Sequence, residues 1–474
     1  MKKLDRVILR LAFLSLAILS STFMTPTAGF TQSKIFIDVG EAKVRKSLLA
    51  FPSLQFLGSK EDAPADKVGD EIFSIITNDL AATGLFTNID RKAYLEDPSS
   101  TGLRPSGVTP NGFDFNKWKT IGTEFLIKGG YQVINDQLTL EIYAYYVPQG
   151  NLIIGKKYQS ATGSLRRIAH TFANDFVKGV TGKPGFFNNQ IVVAIDKGVQ
   201  TNREIFISDW DGADSHPITN HKTISISPAW SPNGEFIAYT SFVKRKIGNS
   251  PAMRNPDLFV YEVKTGKRWL VSYRTGMNSG AEFLPDNKNM LVTLSQGKTA
   301  DIYKMSLDGK SIIQLTHGPS LAMNVEPAIT PDGSTIAFSS DRSERPMVYT
   351  MNLSGGDVKR KTFAGLYNST PTWAPDGKKI AFAGLDKAHD AFDIFVVNSD
   401  GSGLMRLTGA KRANGHWANN EDPAFSPDGR HILFVSDRTG TRQLFLINVD
   451  GTNERRLTYD RLYYSKPKWG PVAE

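Results

Sequence analysis

The chain of 474 residues contains no cysteine. That absence excludes disulfides, thiolate metal sites, cysteine nucleophiles and a lipid-modified N-terminal cysteine together. Long hydrophobic runs are also missing. The apolar core from Leu11 to Leu19 is far shorter than the ~20 residues a membrane-spanning helix needs, and no other stretch is long enough to cross a bilayer. Met1, Lys2, Lys3, Arg6 and Arg10 precede that core, and small and polar residues through Ala28 and Gly29 follow it. The order is that of a cleavable signal peptide over residues 1–28, which predicts an exported protein.

Other chemistry is absent too. There is no Gly-x-Ser-x-Gly elbow, and no hydrolase-sized domain remains beside the repeats described below. The seven histidines (His170, His216, His221, His317, His389, His416 and His431) are scattered without metal-ligand spacing and are expected mostly in loops or at the surface. His216 and His221 flank one loop but have no carboxylate or cysteine company, so neither metal nor cofactor is expected. The formal charge is +9, of which the four basic leader residues against Asp5 supply +3, leaving +6 for the mature chain. This mild excess suits either an ordinary solvated surface or attraction to acidic partners. No dense Lys/Arg stripe with interleaved aromatics argues for nucleic acid.

What the chain does contain is repetition. Trp230-Ser-Pro-Asn-Gly234, Phe283-Leu-Pro-Asp-Asn287, Ile329-Thr-Pro-Asp-Gly333, Trp373-Ala-Pro-Asp-Gly377 and Phe425-Ser-Pro-Asp-Gly429 recur at steps of 44 to 53 residues, and Trp469-Gly-Pro471 restarts the motif at the C-terminus. Proline presets the second position of a tight turn and glycine takes the exit that crowds other residues, so each motif joins two strands. Alternating apolar runs follow: Phe236 to Tyr239, Thr335 to Phe338, Lys379 to Phe382 and His431 to Phe434 are second strands. Third runs such as Asp257 to Tyr261 and Asp393 to Val397 lead through Asp308-Gly309, Asp400-Gly401 or Asp450-Gly451 to closing runs such as Arg406 to Thr408. Four strands per repeat make a propeller blade. The segment 190–219 lacks an inner strand, and the orphan Pro467 to Pro471 supplies it, which closes a ring of six.

Before the ring, Asp66 to Ala82 and Ser164 to Val180 have helical spacing with one apolar face. Phe125 to Ile127, Tyr131 to Ile134, Leu138 to Val147 and Leu152 to Tyr158 read as consecutive strands. Asp97 to Gly112 reads as a loop and Thr181 to Gly185 as a linker. The predicted fold class is α+β and multi-domain, with an N-terminal α/β sandwich domain over 29–184 followed by a six-bladed β-propeller over 187–474. Lys34 to Val39 alternates like a strand near the mature terminus, where it can be an ordinary edge strand or add to another protein's sheet.

The leader, short strand, α/β domain and six Trp-Ser-Pro-Asp-Gly variants together resemble the TolB family, periplasmic components of the Tol-Pal system. The resemblance covers essentially the whole chain. It implies a non-enzymatic scaffold that links the C-terminal domain of TolA to the peptidoglycan-associated lipoprotein, Pal, and supports outer-membrane integrity and cell division. Carried over by position, Lys34, Ile35, Phe36, Ile37 and Asp38 would face TolA. Met277, Asn278, Gly280, Glu282, Asn324, Val325 and Glu326, just before or within inner strands, would face the lipoprotein. Two positions depart from the family: Asn287 replaces the turn glycine, and Met277 stands where members often carry a polar or histidine residue. Glu282, Glu326, Glu421 and Asp422 lie in several inner strands, so a carbohydrate-binding or carbohydrate-active propeller is the alternative, because the separation that makes a glycosidase pair is a three-dimensional fact.

Overall fold

The computed structural model describes residues 45–58, 67–198, 202–246, 252–295, 299–319 and 321–472. The leader and the strand-like Lys34 to Asp38 lie outside the described residues. The N-terminal region is a mixed sheet with two long helices on one face and a short one on the other. β1 (Ser47–Ala50), β2 (Gln55–Phe56), β3 (Phe86–Asn88), β4 (Phe125–Ile134), β5 (Gln137–Tyr146) and β6 (Asn151–Ala161) form it, in the order β3-β1-β4-β5-β6, with β2 also pairing β4. β1 and β2 run parallel to β4, and β4, β5 and β6 are antiparallel.

α1 (Lys67–Ala82) and α3 (Leu165–Thr181) bury the apolar stripes read from the sequence, Ile72, Ile75, Ile76 and Leu80 against Ile168, Phe172, Phe176 and Val177. α2 (Phe115–Thr120) covers the other face, where Trp118, Phe113 and Tyr145 pack together. The strands expected at Phe125 to Ile127 and Tyr131 to Ile134 are a single strand, β4. A Cβ on Gly129 would stand 2.6 Å from Leu54 Cδ2, and one on Gly130 2.7 Å from Leu57 Cγ. The glycine pair therefore admits the leucines of the crossing segment and does not break the strand.

The propeller has six four-stranded antiparallel sheets. Blade 1 is built from the closing strand Tyr463–Val472, then β7 (Asn189–Asp196), β8 (Arg203–Asp209) and His216–Pro217. The inner strands of blades 2 to 6 are Ser225–Trp230, Asn278–Phe283, Asn324–Ile329, Tyr367–Trp373 and Asn420–Phe425. The recurring turn is wired by side chains as well as by proline and glycine. Ser426 Oγ donates to Asp428 Oδ1 (2.5 Å) and accepts from His431 N (3.0 Å), while Asp428 Oδ1 accepts from Arg430 N (3.0 Å). Asn287 takes φ +55°, the left-handed conformation that asparagine tolerates, so the missing glycine leaves the turn intact.

The N-terminal region docks under blades 1 and 6 through a shared apolar core. Phe186 and Phe187, directly after Thr181 to Gly185, are fully buried, and the Phe186 ring lies 5.2 Å from Trp210, 5.1 Å from Trp469 and 4.9 Å from His431. Polar contacts surround this stack: Arg166 on α3 pairs with Asp209 (2.8 Å) and Asp211 (2.9 Å), and Arg455 NH1 donates to Asn78 O (3.1 Å). Two histidines are not at the surface as expected. His170 is 3 % exposed and His431 1 %, because each stands against a buried carboxylate, Asp79 (2.8 Å) and Asp428 (3.4 Å) respectively.

Candidate functional site

Each inner strand carries a β-bulge at the same place, one residue per blade being in the left-handed conformation. The six are Lys466, Ser227, Gly280, Glu326, Thr370 and Asp422, from blade 1 to blade 6, with φ between +50° and +63°. The bulge re-aims these positions. Lys466 of blade 1 reaches Glu326 of the opposite blade (2.9 Å) and Asp422 of the adjacent one (3.0 Å). Lys468 reaches Glu282, two blades away (3.2 Å). Two lysines of the closing strand thus bridge the propeller channel.

The charges in this cluster reinforce one another. Burial pulls the Lys466 ammonium down, but Asp422 and Glu326 outweigh it and hold the group above the ordinary lysine value. Asp422, which burial alone would raise, is held low by that ammonium and by the Lys466 backbone N–H (3.0 Å). Burial raises Glu421 despite Arg442 at 2.7 Å. The four carboxylates considered for a glycosidase pair therefore each hold a direct cationic partner. Among the described residues no group of three His, Cys, Asp or Glu is arranged to hold a metal.

Above the bridges the channel opens into a cavity of about 350 Å3 lined by Arg203, Tyr367, Thr370, Phe392, Arg442 and Lys466 among others. Exposed apolar side chains stand at or just ahead of the starts of inner strands, where Tyr367 (39 %) lines the cavity: Met277 (40 %), Leu321 (74 %), Met323 (48 %) and Tyr463 (40 %). Tyr463 begins the closing strand and Trp469, near its end, touches Phe186, so this mouth lies on the face opposite the N-terminal region. A larger cavity of about 800 Å3 lies between 52–56 and 91–99; its one buried carboxylate, Glu96, is taken by Trp118 Nε1 (3.0 Å) and Asp114 N (3.3 Å).

The residues singled out by resemblance divide into three groups. Met277 is at the exposed rim and Val325 and Gly280 are half-buried in the wall. Glu282 and Glu326 are in the channel, engaged by the lysines. Asn278 and Asn324 are fully buried. Asn278 Nδ2 donates to the carbonyls of Pro256 (3.1 Å), Arg274 (2.7 Å) and Gly276 (3.1 Å), and Asn324 Nδ2 donates to Asp301 Oδ1 (2.9 Å). Both shape the mouth loops and present no side chain to a partner. Asn368 and Asn420 stand at the same place in blades 5 and 6, also buried. The signal for this brace was in the sequence, an asparagine five residues before the first residue of the turn motif in four repeats. Sequence reasoning also missed Lys466, Lys468, Arg203 and Tyr367.

Comparison with known proteins decides the family. The TolB beta propeller domain matches residues 177–411 and 383–474, and the TolB amino-terminal domain matches 37–153. The chain belongs to the TolB family. A protein named Tol-Pal system protein TolB from Desulfosudis oleivorans is 31 % identical over 302 residues, 64 % of each chain. Another of that name from Syntrophotalea carbinolica is 34 % identical over 171 residues, 36 % of this chain and 38 % of its own. The chain thus spans less than two thirds of the length of these curated relatives. The crystal structure of TolB from Acinetobacter baumannii superposes with a TM-score of 0.75 at 23 % identity, over 91 % of this chain and 98 % of that one, which shows that the TolB fold is shared.

Proposed function

We propose that the protein is the periplasmic scaffold of a Tol-Pal system, binding proteins and carrying out no reaction of its own. The peptidoglycan-associated lipoprotein docks on the propeller mouth, and the mature N-terminal strand, Lys34 to Asp38, binds the C-terminal domain of TolA. The link supports outer-membrane integrity and constriction at division. One observation carries the docking surface: an apolar collar surrounds a channel that lysine bridges close from within. Desolvated aromatic and methionine side chains are the usual centre of protein interfaces. A partner caps such a mouth; it does not thread it. Among the described residues no helix is long and apolar enough to cross a membrane, which fits export.

A short terminal strand exchanges cheaply between its own domain and a partner's sheet, since the main-chain hydrogen bonds are similar. Coupling between the two partner sites is reciprocal in free energy. The test is a pair of titrations. The soluble domain of the lipoprotein should bind the full chain, and Tyr367→Ala with Met323→Ala should weaken it; deletion through Asp38 should abolish TolA binding and retain the lipoprotein. Absence of lipoprotein binding together with binding on a glycan array would overturn the reading in favour of a carbohydrate-directed propeller.

A further inference from the structure

The cavity at the mouth is lined by three carboxylates and three cations, and their pairing is uneven. Glu421 accepts from Arg442 (2.7 Å), and Glu326 and Asp422 share Lys466. Glu326 Oε2 further accepts from Thr370 N (2.8 Å). All three carboxylates therefore have a cation within 3.0 Å. Arg203 does not have the converse. Among the described residues its nearest carboxylate oxygen, Asp196 Oδ2, is 4.0 Å away, while Asp196 Oδ1 is spent on Gly198 N (2.9 Å). Among the described residues one further contact, from NH1 to Ser465 Oγ, is 3.5 Å long, and the buried Nε has no partner. The side chain remains a third exposed to the cavity.

A guanidinium offers five donors in a planar fork, and in water those donors are satisfied. A protein that covers the mouth removes that water. Covering a cation without supplying an acceptor carries a large desolvation cost, which a bidentate carboxylate removes with matching geometry. Around Arg203 the wall is apolar or already neutralised, with Tyr367 and Phe392 in the same cavity and Met323 and Tyr463 on the rim.

We propose that Arg203 is the docking point for one acidic side chain of the protein that binds the mouth, carried on a loop whose flanking residues are apolar and pack on Tyr367 and the methionine rim. The proposal rests on the reading that the mouth is a protein-docking surface and adds the chemistry of what enters it. The carboxylate forms the fork with Arg203 and leaves the Lys466 bridges unbroken beneath it.

The experiment uses the full-length mature chain and the soluble domain of the lipoprotein, titrated calorimetrically at several salt concentrations. Arg203→Gln keeps reach and removes charge; Arg203→Lys keeps charge and removes the fork. Expected is at least about thirtyfold weaker binding for R203Q with a flatter salt dependence, and an intermediate loss for R203K. Unchanged affinity and salt slope in R203Q, with melting as for wild type, would overturn the proposal and leave the docking reading standing. Failure of the wild-type chain to bind would sink the docking reading. A capped peptide with one Asp between aromatic residues, compared with its Asn counterpart, then decides the chemistry: a preference for Asp that R203Q loses supports the proposal, and no preference overturns it.

Discussion

His170→Ala should destabilise the protein in a way that depends on pH, because it strips the partner from a carboxylate that has no access to water. Asp79 is 0 % exposed, and burial pushes its carboxyl from 3.8 up to about 6 even though the hydrogen bond and charge of His170 pull it down. That rise corresponds to a penalty of about 3 kcal/mol on the charged form near pH 7.5. His170 is shifted upward: burial lowers it, but Asp79 more than compensates. The signs follow. His170 contributes stability that is lost as pH rises through its raised value, and because the charge of Asp79 is what raises it, that contribution also fades below about 6, where Asp79 takes up its proton. Asp79, also raised, weakens the fold as pH climbs from about 4 past 6.

Without the imidazole, the cheapest state for Asp79 is protonated, and keeping it so near pH 7.5 costs about 5 kcal/mol against a free carboxyl, compared with about 1 kcal/mol near pH 4.5. The variant should therefore lose about 2 kcal/mol more than wild type near pH 7.5 from this source and almost nothing near pH 4.5. A pH-independent packing loss of about 1–3 kcal/mol is added at both. Arg166, Asp209, Asp211 and Arg455 face the pair from α3 and the propeller and remain in place in the variant. Urea unfolding followed by tryptophan fluorescence reads this directly, since Trp210 lies in the same interface. Asp79→Asn should be neutral or stabilising near pH 7.5, and the double variant should show no added pH dependence. Equal losses for His170→Ala at both pH values would refute the reasoning.

Removing residues from Tyr464 onward deletes the inner strand of blade 1 with Trp469 and both bridging lysines; a sharp fall in melting temperature or solubility is expected, and unchanged melting would contradict closure by this strand. Lys466→Met leaves Glu326 and Asp422 without their shared cation, so a loss of about 1–3 kcal/mol is expected near pH 8 and less near pH 4, where the buried Asp422, no longer held low by the ammonium, takes up a proton; thermal melts at the two pH values check it. Gly130→Val should cost about 1–3 kcal/mol by driving Leu57 off β4, measured by chemical denaturation, whereas a neutral effect would mean the crossing segment is not held there.

Much of the architecture was legible because it is periodic and local. The five turn motifs, the strand runs after them and the two amphipathic helices each depend on residues within a few positions of one another. The orphan Pro467 to Pro471 was assignable because a repeat array with one strand missing and one strand spare has a single way to close. The Gly129-Gly130 pair misled for the converse reason: its glycines answer to Leu54 and Leu57, about 75 residues earlier in the chain.

The site was only partly legible, and for a physical reason. Sequence alone determined that an inner strand begins near Asn278 and Asn324 and that acidic residues recur in such strands. Only the tertiary structure decided that those asparagines face inward as braces, that the bulge turns one residue per blade into the channel, and that Lys466 meets a carboxylate 140 positions away. Ring closure sets these pairings, because it brings blade 1 opposite blade 4 at a separation shorter than two side chains. Periodicity is a property of neighbours along the chain, whereas charge pairing across a channel is a property of distance in space, and Coulomb attraction depends on the second alone.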